Sequence, residues 1–341
     1  MTKHTHQWKE NDAGKKFVKL TAVIAFLTLI VVSISGCVNQ QQTNTIKISG
    51  AFALYPMMVK WAEEYHKLYP NITIDVQSGG AGKGMTDALN KIVNIGMVSR
   101  EINASEIEKG AFWISPTKDA VVATINAENP VINTIMTKGI TKQQFRDIFI
   151  NRTITTWGQL IGNTSITAPI IVYSRQDSCG AAETWAKYLG KYKQDDLTLH
   201  ANYTISFDDQ LAQSIVNDKN GIGYNNLGYV YDATGFKYDG KIKPVPLDLN
   251  ENGTLDASEN FYGNRTTFID AINNHVYPSP PARMENLVTY KNFTGITKQF
   301  VYWILTDGQQ YVIDAGYVLL TQEVIQQQLT YLETGKRPET P

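Results

Sequence analysis

The stretch SRQDSCGAAETW (174–185) packs Arg175, Asp177, Cys179 and Gly180 into one short turn. Two chemistries suit these residues. A guanidinium presents its donors as a rigid fork that fits oxyanions. The amides of Gly180 and Ala181 would open a helix, where free N–H groups attract negative charge. Alternatively, Cys179 could act as a nucleophile, but a reactive thiolate needs a nearby base or cation. After residue 36 the histidines are His66, His200 and His275, and none forms a Cys–His pattern with it. Cys179 therefore reads as a small space-filling residue, and the turn as part of an anion site only if several such turns join one arginine.

Two other turns resemble it in composition: SGAFALYP (49–56) and QSGGAGKGM (77–85). The second invites comparison with a P-loop, but that motif requires Ser or Thr after its lysine, and Gly84 follows Lys83. A metal-dependent phosphohydrolase would need clustered carboxylates and histidines; none lies near these turns in the sequence. Capture rather than catalysis is the expectation.

Positioning such turns calls for strands that feed helices. TIKISGA (45–51), ITIDVQS (72–78), NIGMVSREI (94–102), AVVATIN (120–126) and APIIVYS (168–174) read as strands. YPMMVKWAEEYHKLYP (55–70) reads as an amphipathic helix with Met58, Trp61, Ala62 and Tyr65 on one face. Helices are also expected over 86–93, 141–149 and from Gly180 onward. The alternation predicts α/β architecture with parallel sheets, whose ligands gather at the carboxyl ends of strands.

The N-terminus predicts the compartment. Lys15, Lys16 and Lys19 precede an apolar run from Leu20 to Ile34, and Ser35-Gly36-Cys37 follows. The run is short of the roughly 20 residues of a membrane span. Residues 1–36 read as a lipoprotein-type signal with Cys37 as the lipidated residue, or as an uncleaved anchor; residues 37–44 read as a tether. Either way the protein is exported and held at the outer face of the cell membrane. Losing residues 1–36 removes five lysines and two acids and moves the formal charge from −1 to −4. That argues against nucleic acid as a partner. About 300 residues remain, enough for two lobes. With Cys179 the only cysteine after Cys37, no internal disulfide is available.

Taken in order, SGAFALYPMMVKWAEEY, QSGGAGKGM, NIGMVSREI, TKQQFRDIFINRTITTWGQL, SRQDSCGAAETW, GIGYNNLGYV and QFVYWILTDGQQYVIDAGYVLL resemble the phosphate-binding, periplasmic-type proteins that feed ABC importers. The likeness spans residues 45–341. It implies a two-lobe periplasmic-binding-protein fold (type II-like) with hinge strands that closes on a dehydrated oxyanion. Lobe one would comprise 45–124 and 226–341, with the tail helix returning to it, and lobe two 125–225. The resemblance places anion contacts at Ala53 and Leu54, at Ser78, Gly79 and Gly80, at Ser99 and Arg100, and at Arg175, Cys179, Gly180 and Ala181, with Asp177 orienting the arginine. Many relatives carry a hydroxyl where this chain has Ala53 or Leu54, Ser-Gly-Thr in place of Cys179-Gly180-Ala181, and some an aspartate in place of Ser99. The side-chain donors are thinned, so backbone donors must do more. Phosphate is the expected ligand, with sulfate, molybdate or tungstate as alternatives; the permease subunits of an ABC importer are the expected partner of a monomer. A surface scaffold or adhesion protein that has lost its solute is the other class.

DLNENGTLDASE (248–259) stands apart. Asp248, Asn250, Asn252, Gly253, Thr254, Asp256 and Glu259 fall at positions 1, 3, 5, 6, 7, 9 and 12 of an EF-hand-type loop. Calcium is the expected structural ion, bound by Asp248, Asn250, Asn252, Thr254, Asp256 and Glu259. KIKPVPL (241–247) before the loop reads as extended, so a single inserted loop that stiffens lobe one is expected.

Overall fold

The computed structural model describes residues 1–2, 44–232 and 235–338. The leader reading and Cys37 fall on residues outside these. Among the described residues no helix is long and apolar enough to cross a membrane.

The strands are β1 (Thr45–Gly50), β2 (Thr73–Ser78), β3 (Ile95–Val98), β4 (Ala111–Asn126), β5 (Ile140–Thr141), β6 (Ile171–Arg175), β7 (Tyr203–Ile205), β8 (Gly221–Asn226), β9 (Ile242–Pro244), β10 (Leu247–Asp248) and β11 (Ala282–Tyr290). The main sheet runs β2-β1-β3-β11-β4-β8-β6-β7, with β9 pairing β4 off this path. Its two ends are parallel: β1 pairs β2 and β3, and β6 pairs β7 and β8. The middle is antiparallel, because β11 pairs both β3 and β4, and β4 pairs β8. The sheet is thus mixed, with parallel ends.

β4 is the crossover. Its 16 residues pair with β11 over Ala111–Ala120 and with β8 over Val121–Ile125. Ala111, Phe112, Trp113 and Ile114 pack in one apolar core, and Val121, Val122, Ala123 and Ile125 in a second. Two cores joined by shared strands are the physical basis of two lobes. The first core holds Ile46, Met58, Trp61, Tyr65, Met97 and Leu287, and the tail helix Gln322–Thr334 returns to it through Ile325 and Leu332. The second holds Phe145, Phe149, Trp157, Trp185 and Tyr224.

The core membership moves one boundary. Leu227, Tyr231, Val245, Leu247, Phe261, Tyr262, Phe268 and Tyr277 pack in the second core, not the first. Residues 226–282, expected in lobe one, therefore pack with 125–225. The family resemblance implied lobe one for these residues; burial of these aromatics in the second core overrides it.

The first amphipathic helix covers Tyr55–Leu68 and buries Met57, Met58, Trp61, Ala62 and Tyr65. The glycine-rich segment departs from expectation. Its helix begins at Ala81 and ends at Leu89, so Gly82 and Gly84 are helical. Glycine disfavours helices by about 1 kcal/mol relative to alanine, which is why this stretch reads as loop. Packing reverses that preference: a Cβ on Gly84 would lie 2.4 Å from the Met97 carbonyl oxygen and 2.8 Å from Gly50 Cα. The helix lies directly on β1 and β3, and only glycine permits that approach.

Candidate functional site

Four turns meet where strands end. The first follows β1, the second follows β2, the third follows β3 and the fourth follows β6. Contacts between lobes bring them together. A Cβ on Gly180 would sit 2.2 Å from Ser99 Oγ and 2.5 Å from the Ser99 carbonyl oxygen. One on Gly80 would sit 2.2 Å from the Ser178 carbonyl oxygen. The Phe52 and Phe207 rings meet edge to face at 5.4 Å, and the Arg175 guanidinium lies 5.7 Å from the centre of the Phe52 ring.

Arg175 ends β6 and is 1% exposed. Its Nε donates to Asp177 Oδ1 at 2.8 Å and its Nη2 to Asp177 Oδ2 at 2.5 Å. Nη1 donates to Asp208 Oδ1. A guanidinium has five N–H donors, so Nη1 and Nη2 each retain one. Burial opposes its charge, yet Cys179, Asp208 and Asp177 around it raise its pKa above the ordinary value. The Arg175 backbone N–H donates to Tyr224 Oη at 3.1 Å, and Tyr224 Oη also bonds Ser174 Oγ at 2.8 Å. Asp177 stands where the sequence places an orienting group.

The backbone donors are distributed differently from expectation. The amides of Ala53 and Leu54 donate to no acceptor among the described residues, and neither do those of Gly180 and Ala181. Gly79 and Gly80 do not fit the expected role: both donate to the Gly50 carbonyl at 2.9 Å. Because the helix starts at Ala81, the free N–H groups of this turn belong to Ala81 and Gly82 instead. The Cys179 amide donates to Gln194 Oε1 at 3.0 Å, so it too is engaged. The hydroxyls of Ser78 and Ser99 have no hydrogen-bond partner among the described residues; Ser99 is buried and Ser78 exposed.

Arg100 sends its side chain away from the turns, to Glu106 at 2.8 Å and to Glu183 at 2.9 Å. Its amide, the group expected to face the anion, has no acceptor among the described residues. Burial pushes the Cys179 thiol up to about 12. The thiol is protonated near neutral pH, which removes the nucleophile a covalent mechanism needs.

Sequence reasoning missed three groups. Asp208 opens the helix Asp208–Asn217 and is 3% exposed beside Arg175. Its carboxyl is pushed up by burial and pulled down by Arg175 and Arg283. Arg283, on β11, reaches Asn226 Oδ1 at 2.5 Å and Thr184 Oγ1 at 3.2 Å, with Asp119 and Glu285 within ion-pair distance. Burial raises the carboxyls of Asp119 and Glu285 above their ordinary values. Phe52 lies against the guanidinium, and Phe207 packs on Phe52. An acidic pair at a helix start, Asp208-Asp209, was the only hint of Asp208. Nothing in the residue pattern tied Arg283, some hundred positions further on, to Arg175.

A cavity of about 390 Å3 shares Arg100 with this cluster but is lined mainly by Trp113, Met284, Tyr331 and Lys187. Its lining includes Arg283 as well but none of Ser78, Arg175 or Gly180, so the turns define the site.

The 248–259 loop is compact. Asp248 accepts from the amides of Asn252 and Gly253, at 3.2 and 2.9 Å. Glu259 accepts from Leu249, Asn250 and Asp256. Asp256 Oδ2 accepts from the side-chain amides of Asn250 and Asn252. Gly253 has φ +78° in open space, as the sharp turn requires. Residues before the loop are strands, as expected, but β10 pairs β5 and Leu255 donates to the Thr137 carbonyl. The loop thus lies on lobe two rather than lobe one. Among the described residues no group of three or more His, Cys, Asp or Glu side chains has metal-holding proximity.

A family model for the PBP superfamily domain matches residues 38–308. The phosphate-binding protein PstS of Pseudomonas aeruginosa is 25% identical over 307 residues, covering 83% of this chain and 85% of that one. PstS of Methanocaldococcus jannaschii is 24% identical, covering 94% of this chain and 96% of that one. Among solved structures, an ABC-type phosphate transport receptor from Vibrio cholerae superposes with TM-score 0.62 at 21% identity, covering 81% of this chain and all of that one. A Clostridium perfringens protein solved with bound phosphate superposes at 0.64 with 24% identity, again covering 81% and all. The two structures share the two-lobe fold with this chain.

Proposed function

This chain belongs to the PBP superfamily, and we propose that it captures phosphate between its two lobes and delivers it to an ABC importer. One observation carries the reading. Amides of Ala53, Leu54, Gly180 and Ala181, all without acceptors among the described residues, lie on turns that meet beside buried Arg175, which keeps two spare N–H groups. Such fixed dipoles at helix starts suit a dehydrated oxyanion. The relatives named for phosphate binding support the choice of ligand. No step of bond making is assigned to the site: it holds an anion and releases it when the lobes part. Export and anchoring through a lipidated Cys37 at the outer face of the membrane complete the proposal.

Calorimetric titration of the purified protein, stripped of anion, tests it. Phosphate is expected to bind tightly, ahead of sulfate, molybdate and tungstate. Selective binding of one of the others would reassign the ligand. No heat with any of the four would move the protein toward a surface-binding role.

We also propose calcium for the 248–259 loop, on the spacing of its oxygens and the positive φ of Gly253. The expected result is that Glu259→Gln lowers the melting temperature in calcium but not in chelator. Equal shifts in both would leave the loop without a metal. A solvent-filled acidic loop would instead behave alike in both buffers before any substitution.

A further inference from the structure

The cavity of about 390 Å3 that borders Arg100 draws its walls from both lobes. Trp113 of β4 and Met284 of β11 line it from the crossover strands. Gln328 and Tyr331 line it from the tail helix, on the first lobe. Thr184 and Lys187 line it from the helix Gly180–Leu189, which packs in the second core. Its volume lies in the roughly 300–1,000 Å3 range of small-molecule pockets, which pair apolar walls with a few placed polar groups.

Two such polar groups are left over here. Gln328 is 5% exposed; its Oε1 accepts from the Ser115 N–H at 2.8 Å, while its Nε2 donates to no acceptor among the described residues. Trp113 is 6% exposed, and its indole N–H likewise has no acceptor among them. Buried donors of this kind are normally paired, and both residues border the same cavity. Both are donors, so the group that satisfies them is an acceptor.

The charges on the walls are already matched. Arg100 pairs with Glu106 and Glu183, Lys187 with Glu101, and Arg283 with Asp119 and Glu285. A charged occupant would find no free counter-charge and would be costly to bury. The fit is to a neutral molecule, apolar against Trp113, Met284 and Tyr331, with acceptor atoms for Trp113 and Gln328.

We infer that this cavity is a second ligand site, for a neutral, mainly apolar small molecule bearing hydrogen-bond acceptors, and that its occupant favours closure of the lobes. The link to closure rests on the capture reading above. Arg100 follows Ser99, and Thr184 belongs to the helix that Gly180 opens, so the Ser99–Gly180 contact between lobes sets the spacing of the cavity walls. A molecule that touches Gln328 and Thr184 at once does so only with the lobes together. It therefore binds the closed form better and shifts the equilibrium toward it.

Coumarin and indole are the probes, titrated calorimetrically into the purified protein with and without phosphate. Coumarin is flat and neutral, with two lactone acceptors and no donor; indole is of similar size, with a donor and no acceptor. Coumarin is expected to bind about tenfold or more tighter than indole. Trp113→Phe keeps an aromatic wall without the N–H. Gln328→Glu keeps an acceptor for Ser115 and removes the Nε2 donor. Each is expected to weaken coumarin about fivefold, with thermal unfolding confirming that the fold persists. Phosphate and coumarin are expected to tighten each other's binding by the same factor, about fivefold or more. No coumarin binding, or none better than indole, overturns the site and leaves water as its occupant. Binding that neither folded variant weakens also overturns it, since coumarin would then sit elsewhere. Phosphate affinity unmoved by coumarin overturns the link to closure. A protein that binds coumarin but no phosphate overturns the capture reading and leaves the cavity assignment standing.

Discussion

Replacing Gly180 with alanine is expected to weaken phosphate capture by about 10²-fold or more, the scale of a 1 Å misplacement at a working site, with little change in melting temperature. Gly180 is the first residue of its helix, where alanine is locally favourable. The added methyl meets nothing within its own lobe that the helix needs. It meets the other lobe: Ser99 Oγ at 2.2 Å and the Ser99 carbonyl at 2.5 Å, both under any real contact distance. The lobes must part to admit it. Its amide keeps its donor, so any loss reports closure rather than a missing hydrogen bond. Gly80 makes the same kind of contact with Ser178, but its φ of +89° would add backbone strain to any substitution there. Gly180→Ala is therefore the cleaner probe. Titration and thermal unfolding on one preparation suffice, and unchanged affinity would show that capture does not require this contact.

Arg175→Ala is expected to abolish detectable phosphate binding and to cost stability as well. The sequence places Arg175 at the anion; the structure adds a role in the buried interior. Arg175 is 1% exposed and neutralises Asp177 and Asp208, the second of which is 3% exposed. Removing one partner of a buried pair typically costs about 3–5 kcal/mol because the other charge is stranded. Asp208 can shed that charge by protonating, so the deficit should shrink as pH falls. The sign follows from burial: a carboxyl raised in the folded state binds its proton there before it does when unfolded, so lower pH favours the folded variant. Arg175→Lys keeps a positive charge but loses the planar fork. It is expected to fold near normally and still bind at least tenfold more weakly, since a single lost charge-assisted hydrogen bond is worth about 1.5–3 kcal/mol. Denaturant unfolding at two pH values, with titration, separates the two roles. Wild-type stability of Arg175→Ala at neutral pH would sink the account of the buried network.

Around Lys83 and Gly84 the local pattern misleads. QSGGAGKGM contains glycines because its helix rests on β1 and β3, where a Cβ would strike the Met97 carbonyl. Spacing within the segment carries the same glycines whether they serve a ligand or a neighbouring strand. Gly79 and Gly80 look like anion donors for the same reason, yet their amides bond Gly50.

What the sequence determined by itself are the features written in short-range chemistry. Strand and helix periods placed β1, β6 and the helix Tyr55–Leu68; the family resemblance of SRQDSCGAAETW implied a guanidinium held by a carboxylate. Backbone geometry and side-chain period act over a few residues, so a few residues suffice to read them. Only the tertiary structure decided which amides remain free, that residues 226–282 join the second core, and that Asp208 and Arg283 gather near Arg175. Those outcomes depend on burial and on partners separated by 33 to 108 positions in the chain, and neither has a local signature. A free N–H is defined by where every other carbonyl has gone, and that is settled only when the sheet is assembled and the lobes meet.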